Sequence, residues 1–208
     1  MEKRLSTIAL ISKTINRVLF ATFLVVVFSQ IGLADDKNVV KSLLKERFDC
    51  IKAVLERKDL DEKTKKVRIE DIIKPIFDLP LMSRLSLGRE TWMAMTKEEQ
   101  KKFFELFTKM LKLAYLSKIP SYFDEEIIIE EPNQVNQKKI YIPTIIVSKD
   151  KKTSVLYKFY RSDTGWKIYD IEAKSISCIQ SFRSQFTECL QEGTVKELMV
   201  EMEKKVSS

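Results

Sequence analysis

The stretch Thr153–Ala173, TSVLYKFYRSDTGWKIYDIEA, decides the fold class. Val155, Tyr157 and Phe159 alternate with other residues, so they share one face of a strand. Trp166 and Ile168 do the same in the next run. Between the two runs, Ser162-Asp163-Thr164-Gly165 is short and polar, which joins neighbouring strands in antiparallel fashion. The spacing predicts strands over about 153–161 and 165–173. Upstream, two more are expected over about 126–131 and 139–148, the latter joined to the meander through Lys149-Asp150-Lys151-Lys152. Pro143 lies inside one of them and cannot donate to a ladder, which argues for a sheet edge or a bulge there.

Helical periodicity takes over on both sides of the meander. Val40, Leu43, Leu44, Phe48, Ile51, Val54 and Leu55 form one apolar face over about 36–57. A second helix is expected over about 62–74, ended or kinked by Pro75, and a third is capped by Asp78 and ends at Gly88. Thr96-Lys-Glu-Glu99 is a capping box, so a long helix runs from Lys97 to about Ser117. Its apolar residues, Phe103 to Tyr115, span an arc of about 200°, twice the stripe of about 100° that a surface helix needs. It should therefore meet apolar material on two sides, either protein or a ligand. After the meander, a helix over about 176–191 stops at Gly193, and Thr194-Val-Lys-Glu197 opens another. Helices, a meander, then helices describe an α+β domain, with helices packed over a curved antiparallel sheet of about four strands.

The first 34 residues read differently. Lys3, Arg4, Lys13 and Arg17 precede an apolar run from Val18 to Phe28, and Gly32-Leu33-Ala34 supplies small residues before Asp35. Those are the parts of a secretory signal peptide with cleavage after Ala34, and an uncleaved anchor is the alternative. A single domain over 35–208 then carries a net charge of +4, against +7 for the whole chain. That is too mild for a nucleic-acid binder and suits a protein that meets anionic lipid. Cys50, Cys178 and Cys189 are odd in number, and Cys178 and Cys189 on one helix would stand about 16 Å apart, too far to bridge. A buried structural role is expected for them.

Reactive chemistry is scarce. The chain has no histidine, which removes the commonest general base and metal ligand, and it has no glycine-rich phosphate loop. Asp124-Glu125-Glu126 and Glu130-Glu131 flank an expected strand, where charge protects an edge. Ser177 has no histidine to activate it. No catalytic residue, cofactor or metal site is expected.

Three segments carry a family resemblance. They are Phe77-Asp-Leu-Pro-Leu-Met-Ser-Arg-Leu-Ser-Leu-Gly88; Trp92 with Thr96-Lys-Glu-Glu-Gln100 and Phe103 onward to Tyr115; and Gly165-Trp-Lys-Ile-Tyr-Asp-Ile171 with Ser175-Ile-Ser-Cys178 and Phe182-Arg-Ser-Gln-Phe186. In this order, behind a signal peptide, they resemble the MlaC family, the periplasmic phospholipid-binding component of the Mla lipid-transport system, also known as toluene-tolerance proteins. Where that family often has Glu-Gly-Val-Ser after the last strand, this chain has Ala173-Lys-Ser-Ile-Ser177, and the loss of the glycine implies a different backbone at that turn.

The resemblance implies an apolar cavity between sheet and helices that holds acyl chains. It also implies a periplasmic carrier, monomeric, serving an inner-membrane ABC transporter complex and an outer-membrane lipoprotein complex. Facing pattern and resemblance together nominate Phe103, Phe107, Met110, Leu111 and Tyr115 from the long helix as cavity wall. Tyr141, Ile145, Val155, Tyr157, Phe159, Trp166 and Ile168 come from the sheet, and Ile176, Ile179 and Phe182 would close one end. Arg183 is the candidate for a lipid phosphate, and an ion pair or cap is its other reading. Two other functions stay open at this point: a binding module for a different apolar molecule, and an adaptor with a solid core.

Overall fold

A computed structural model describes residues 36–115, 126–148 and 151–207. The expected signal peptide over 1–34, its cleavage point, Ser117, Asp124, Glu125 and the Lys149-Asp150 pair lie outside the described residues. The chain divides into two units, 1–39 and 40–208. Of the first, residues 36–39 are described, and they are helical.

Helix α1 (36–55), whose residues from Val40 onward belong to the second unit, precedes α2 (Glu62–Ile73), a 3-10 turn at Lys74–Ile76, α3 (Leu79–Leu87), α4 (Arg89–Ala94) and α5 (Lys97–Tyr115). Strands β1 (Glu126–Ile129), β2 (Asn133–Asn136), β3 (Lys139–Ser148), β4 (Lys151–Ser162), β5 (Gly165–Ala173) and β6 (Ile176–Ser177) follow, then α6 (Cys178–Glu192) and α7 (Val195–Ser207).

The caps show why the helices start where they do. Both capping boxes are formed: Glu99 N–H donates to Thr96 Oγ1 at 3.2 Å while Thr96 N–H donates to the Glu99 carboxylate at 2.9 Å, and Thr194 and Glu197 repeat the pattern. Asp78 accepts from Leu81 N–H at 2.9 Å, Asp61 accepts from Thr64 N–H at 2.6 Å, and Ser177 accepts from Gln180 N–H at 3.1 Å. The last of these corrects the expected start of α6. Ile176 is not helical but sits in the two-residue strand β6, because the serine after it takes the cap.

Among the described residues the sheet has six strands in the order β1-β3-β4-β5-β6, with β2 also pairing with β3, and every strand pairing is antiparallel. It is larger than the four strands expected, because the run over 126–131 breaks after Ile129 and a polar strand, β2, resumes at Asn133, and because Ile176–Ser177 add β6. That break explains Pro143. The proline is not on a sheet edge, since it pairs with Leu156 on one side. Its carbonyl accepts from Glu130 N–H at 2.9 Å on the other, where β1 gives way to β2. The missing N–H therefore points at the gap between two outer strands, where no ladder bond is lost.

Register also sorts the faces. Ile140, Ile142 and Thr144 lie opposite Phe159, Tyr157 and Val155, and Phe159 lies opposite Ile168. A bulge between Lys158 and Phe159 bends β4 against β5. Side chains from this face join Val40 and Leu44 of α1, Ile76 and Trp166 in a sheet core. A separate helical core gathers Met82 and Leu87 of α3, Phe103, Leu106, Phe107 and Met110 of α5, Phe182 and Phe186 of α6, and Leu198, Met199 and Met202 of α7. Phe77 packs against both cores. Its backbone bridges to Ile168 in parallel fashion, and Asp78 N–H donates to the Ile168 carbonyl at 2.9 Å. The segment before α3 thus fastens the helices to the edge of β5.

Candidate functional site

The nominated wall residues separate into four groups. Phe103 and Phe107, both 0% exposed, belong with Met110, Ile179 and Phe182 to the helical core, and the half-buried Leu111 packs against it. There the rings fill the space: Phe107 meets Phe182 edge-on at 5.1 Å between centroids, and Phe103 meets Phe186 at 5.4 Å. Phe159, Trp166 and Ile168 belong to the sheet core, the half-buried Tyr157 packs on it, and Val155 is buried on the same face. Tyr141 and Ile145 do not share that face. Their register partners are Lys158 and Ser154, so they project from the opposite side of the sheet. The expectation placed β3 one residue out of phase, and a slip of one inverts every side chain.

The fourth group is exposed. Ile176 is 64% exposed and does not close the end expected of it, and Tyr115, expected as wall, is 43% exposed. Arg183 lies on the solvent side of α6, in a polar groove of about 300 Å³ shared with Gln180, Ser184, Thr187, Glu188 and Gln191. It borders Gly88, where an added Cβ would stand 3.7 Å from Arg183 Nη2. No apolar residue lines that groove. The wide apolar arc of α5 is buried along Phe103, Leu106, Phe107 and Met110, while Leu113 and Tyr115 remain exposed. Of the cysteines, Cys178 alone is buried as expected; Cys50 is half-buried and Cys189 exposed, and all three are free thiols.

Several residues that matter were missed. Phe48 of α1 meets the Tyr157 ring edge-on at 5.6 Å, so α1 closes over the sheet core. Phe77, the residue common to both cores, carried a readable signal. It precedes the Asp78 cap by one position and Met82 by five, the spacing of a hydrophobic staple, and both residues reach the helical core.

The face that carries Tyr141 holds a polar network. Lys158 lies between Asp170 at 3.0 Å and Glu172 at 2.8 Å, with its ammonium 5.9 Å above the Tyr141 ring. Asp170, buried, also accepts from Ser177 Oγ at 2.8 Å and from Ile179 N–H at 3.2 Å, which ties the start of α6 to β5. Tyr141 and Tyr169 share a hydrogen bond of 2.9 Å, and Tyr160 donates to Asp78. Burial, then the Asp78 carboxylate, pushes the Tyr160 phenol up to about 12. Burial, then the Tyr141 hydroxyl, raises Tyr169 as well. Burial alone would lower the Lys158 ammonium, but Glu172 and Asp170 outweigh it and leave it raised. At neutral pH the Tyr160 and Tyr169 phenols stay protonated and the Lys158 ammonium stays charged. Among the described residues no cluster of acidic and cysteine side chains has metal-ligand geometry, and no helix is long and apolar enough to cross a membrane.

The MlaC protein family model matches residues 41–204. The chain belongs to the MlaC family. Its fold is similar to that of a solved structure, the phospholipid-binding protein from Ralstonia solanacearum in complex with a phospholipid. The TM-score is 0.71 at 18% sequence identity, over 80% of this chain and 96% of that one. No curated protein matches the chain in sequence. In this MlaC chain the turn that lacks the expected glycine still enters the left-handed region, with φ of 51° at Lys174 and 63° at Ser175.

Proposed function

We propose that this MlaC-family chain is a binding protein, not an enzyme, and that it carries a phospholipid across the periplasm as the soluble component of an ABC-type lipid-transport system. The observation that carries the reading is the fold it shares, as a family member, with a protein solved in complex with a phospholipid. The rest of the reading comes from the sequence. The basic and apolar first 34 residues support export with cleavage after Ala34, leaving one domain over 35–208. An inner-membrane transporter complex and an outer-membrane lipoprotein complex would then be its donor and acceptor.

The need for a carrier is physical. Each acyl methylene exposed to water costs about 0.8 kcal/mol, so one chain of about 16 carbons costs roughly 12 kcal/mol. Enclosing the tails removes most of that barrier. We place the tails at the seam where the helical and sheet cores approach each other beside Phe77. Both sets of buried side chains are apolar, and Phe77 packs against both of them there. A phospholipid that must also leave needs such a surface, apolar with few polar anchors.

Protein purified from a bacterial host should carry phospholipid, read by native mass spectrometry and by extraction and chromatography. An empty protein that takes up nothing from liposomes would overturn the carrier. A different apolar molecule in the extract would favour a binding module of another specificity.

A further inference from the structure

Lys139 opens β3 and lies opposite Tyr160 of β4, at the end of the sheet away from Ser148 and Lys151. Its ammonium stands over the Tyr169 ring, 5.3 Å from the centroid, and among the described residues no carboxylate pairs with it. Lys158, by contrast, is already engaged by Asp170 and Glu172. The Tyr169 hydroxyl shares its hydrogen bond with Tyr141. That pair holds two phenol protons and its mutual bond uses one, so one O–H is left to donate. Burial raises the Tyr169 phenol, so the proton stays in place at neutral pH. Lys139, Tyr141 and Tyr169 are all half-buried. An ammonium and a hydroxyl thus stand beside one ring, partly desolvated, with no acceptor of their own among the described residues. The surface adjoins the seam. The Tyr160 ring meets Tyr169 edge-on at 6.0 Å, and its hydroxyl donates to Asp78, the residue after Phe77. Around Tyr160, Arg84 and Lys167 offset Asp78 and Asp163, and further along Lys158 lies with Asp170 and Glu172. With Lys139 included, four cations meet four carboxylates, so no net field selects a ligand here. The two unused donors do.

We propose that Lys139 and the spare phenol proton of the Tyr141–Tyr169 pair bind the phosphate of a phospholipid whose tails lie in the seam beside Phe77. The proposal rests on the carrier reading, for which it supplies the headgroup contact. The non-bridging oxygens of a phosphodiester can accept from the ammonium and the hydroxyl at once, and charge-assisted bonds of this kind are the strong ones. Diacylglycerol has the same tails and brings no charge to the same place.

The test loads the full chain from vesicles of dioleoyl phosphatidylcholine that hold equal small fractions of dioleoyl phosphatidylglycerol and dioleoylglycerol. The protein is recovered, its lipid extracted, and the ratio of phosphatidylglycerol to diacylglycerol read by mass spectrometry. Comparing variants with the wild type in the same vesicles cancels the bilayer's own preference. K139M removes the ammonium and keeps the stem. Y141F/Y169F removes both hydroxyls and keeps both rings, and deleting both partners of a hydrogen bond is nearly neutral for stability. Each variant should lower the ratio on the order of tenfold, the loss of one charge-assisted bond, with an unchanged thermal melt. A merely structural role would lower both lipids together and leave the ratio alone. An unchanged ratio in either variant overturns the proposal. Millimolar inorganic phosphate should leave the wild-type ratio as it is; a fall to the variants' value would assign the donors to free phosphate and overturn the headgroup site. A wild type that takes up both lipids at the variants' ratio loses the headgroup site and keeps the carrier. One that takes up neither lipid loses the carrier and the site with it.

Discussion

At the scale of single residues, two positions answer to backbone and burial alone. Gly88 has φ 90° and ψ 153°, a region essentially reserved for glycine, where α3 passes into α4. An added Cβ would meet nothing closer than 3.7 Å, so room is not the issue. Gly88→Ala should therefore cost about 1–3 kcal/mol through backbone strain, read from the urea midpoint, without disturbing the aromatic packing beneath. Cys178 is governed by burial, which pushes its thiol up to about 11 from 9.0; a hydrogen bond from Tyr115 opposes the shift and the Asp170 charge adds to it. A raised acid stabilises the fold while it stays protonated. The contribution is full below pH 9 and is lost as pH rises from 9 through 11. It amounts to about 2–3 kcal/mol. Between pH 8 and 10.5 the wild type should lose stability more steeply than Cys178→Ala. Tyr160, raised in the same direction, is present in both proteins and drops out of the difference. At pH 8 iodoacetamide should label Cys189, which is exposed, and spare Cys178.

At the scale of elements, the helices were legible because their signals are local. A threonine three residues before a glutamate fixes the starts of α5 and α7 whatever they pack against. Strands were legible where alternation runs long, as in β4 and β5, and illegible where it does not. Asn133-Gln-Val-Asn136 carries no apolar alternation and becomes a strand only because β3 offers it a ladder. In β3 six of the seven residues from Ile140 to Ile146 are apolar or aromatic, so alternation cannot say which set faces the core. Pairing with β4 settles it for Ile140, Ile142 and Thr144, against the expected Tyr141 and Ile145. The α5 nominees met a different limit. A helix stripe that lines a cavity and one that fills a core have the same period, and only the partners distinguish them. Phe107 has its partners in Phe182 and Phe103. Phe107→Trp should therefore overpack a filled core and cost about 1–3 kcal/mol in a denaturation curve. The lipid content of the fraction that remains folded should stay as in the wild type.

At the scale of the whole second unit, the arrangement turns on the segment that meets both of its cores. Phe77 packs on both, its backbone bridges to β5, and the next residue caps α3 while accepting from Tyr160 on the sheet. The junction is hydrogen-bonded along the backbone, while beside it the apolar side chains of sheet and helices form separate sets. If the acyl tails occupy that seam, bulk added at its rim competes with lipid and not with protein. Phe77→Trp should then leave the urea midpoint close to wild type, because a half-buried side chain has space to tilt outward. It should lower phospholipid uptake from liposomes about tenfold, the equivalent of the 1–3 kcal/mol that overpacking costs when the space is already claimed. Phe107→Trp should show the reverse, losing stability and keeping uptake. The pair of variants separates a seam that is filled by ligand from one that is filled by protein. Full uptake by Phe77→Trp, or a loss of stability equal to that of Phe107→Trp, would mean that the cores close on each other at Phe77 and that the tails travel elsewhere.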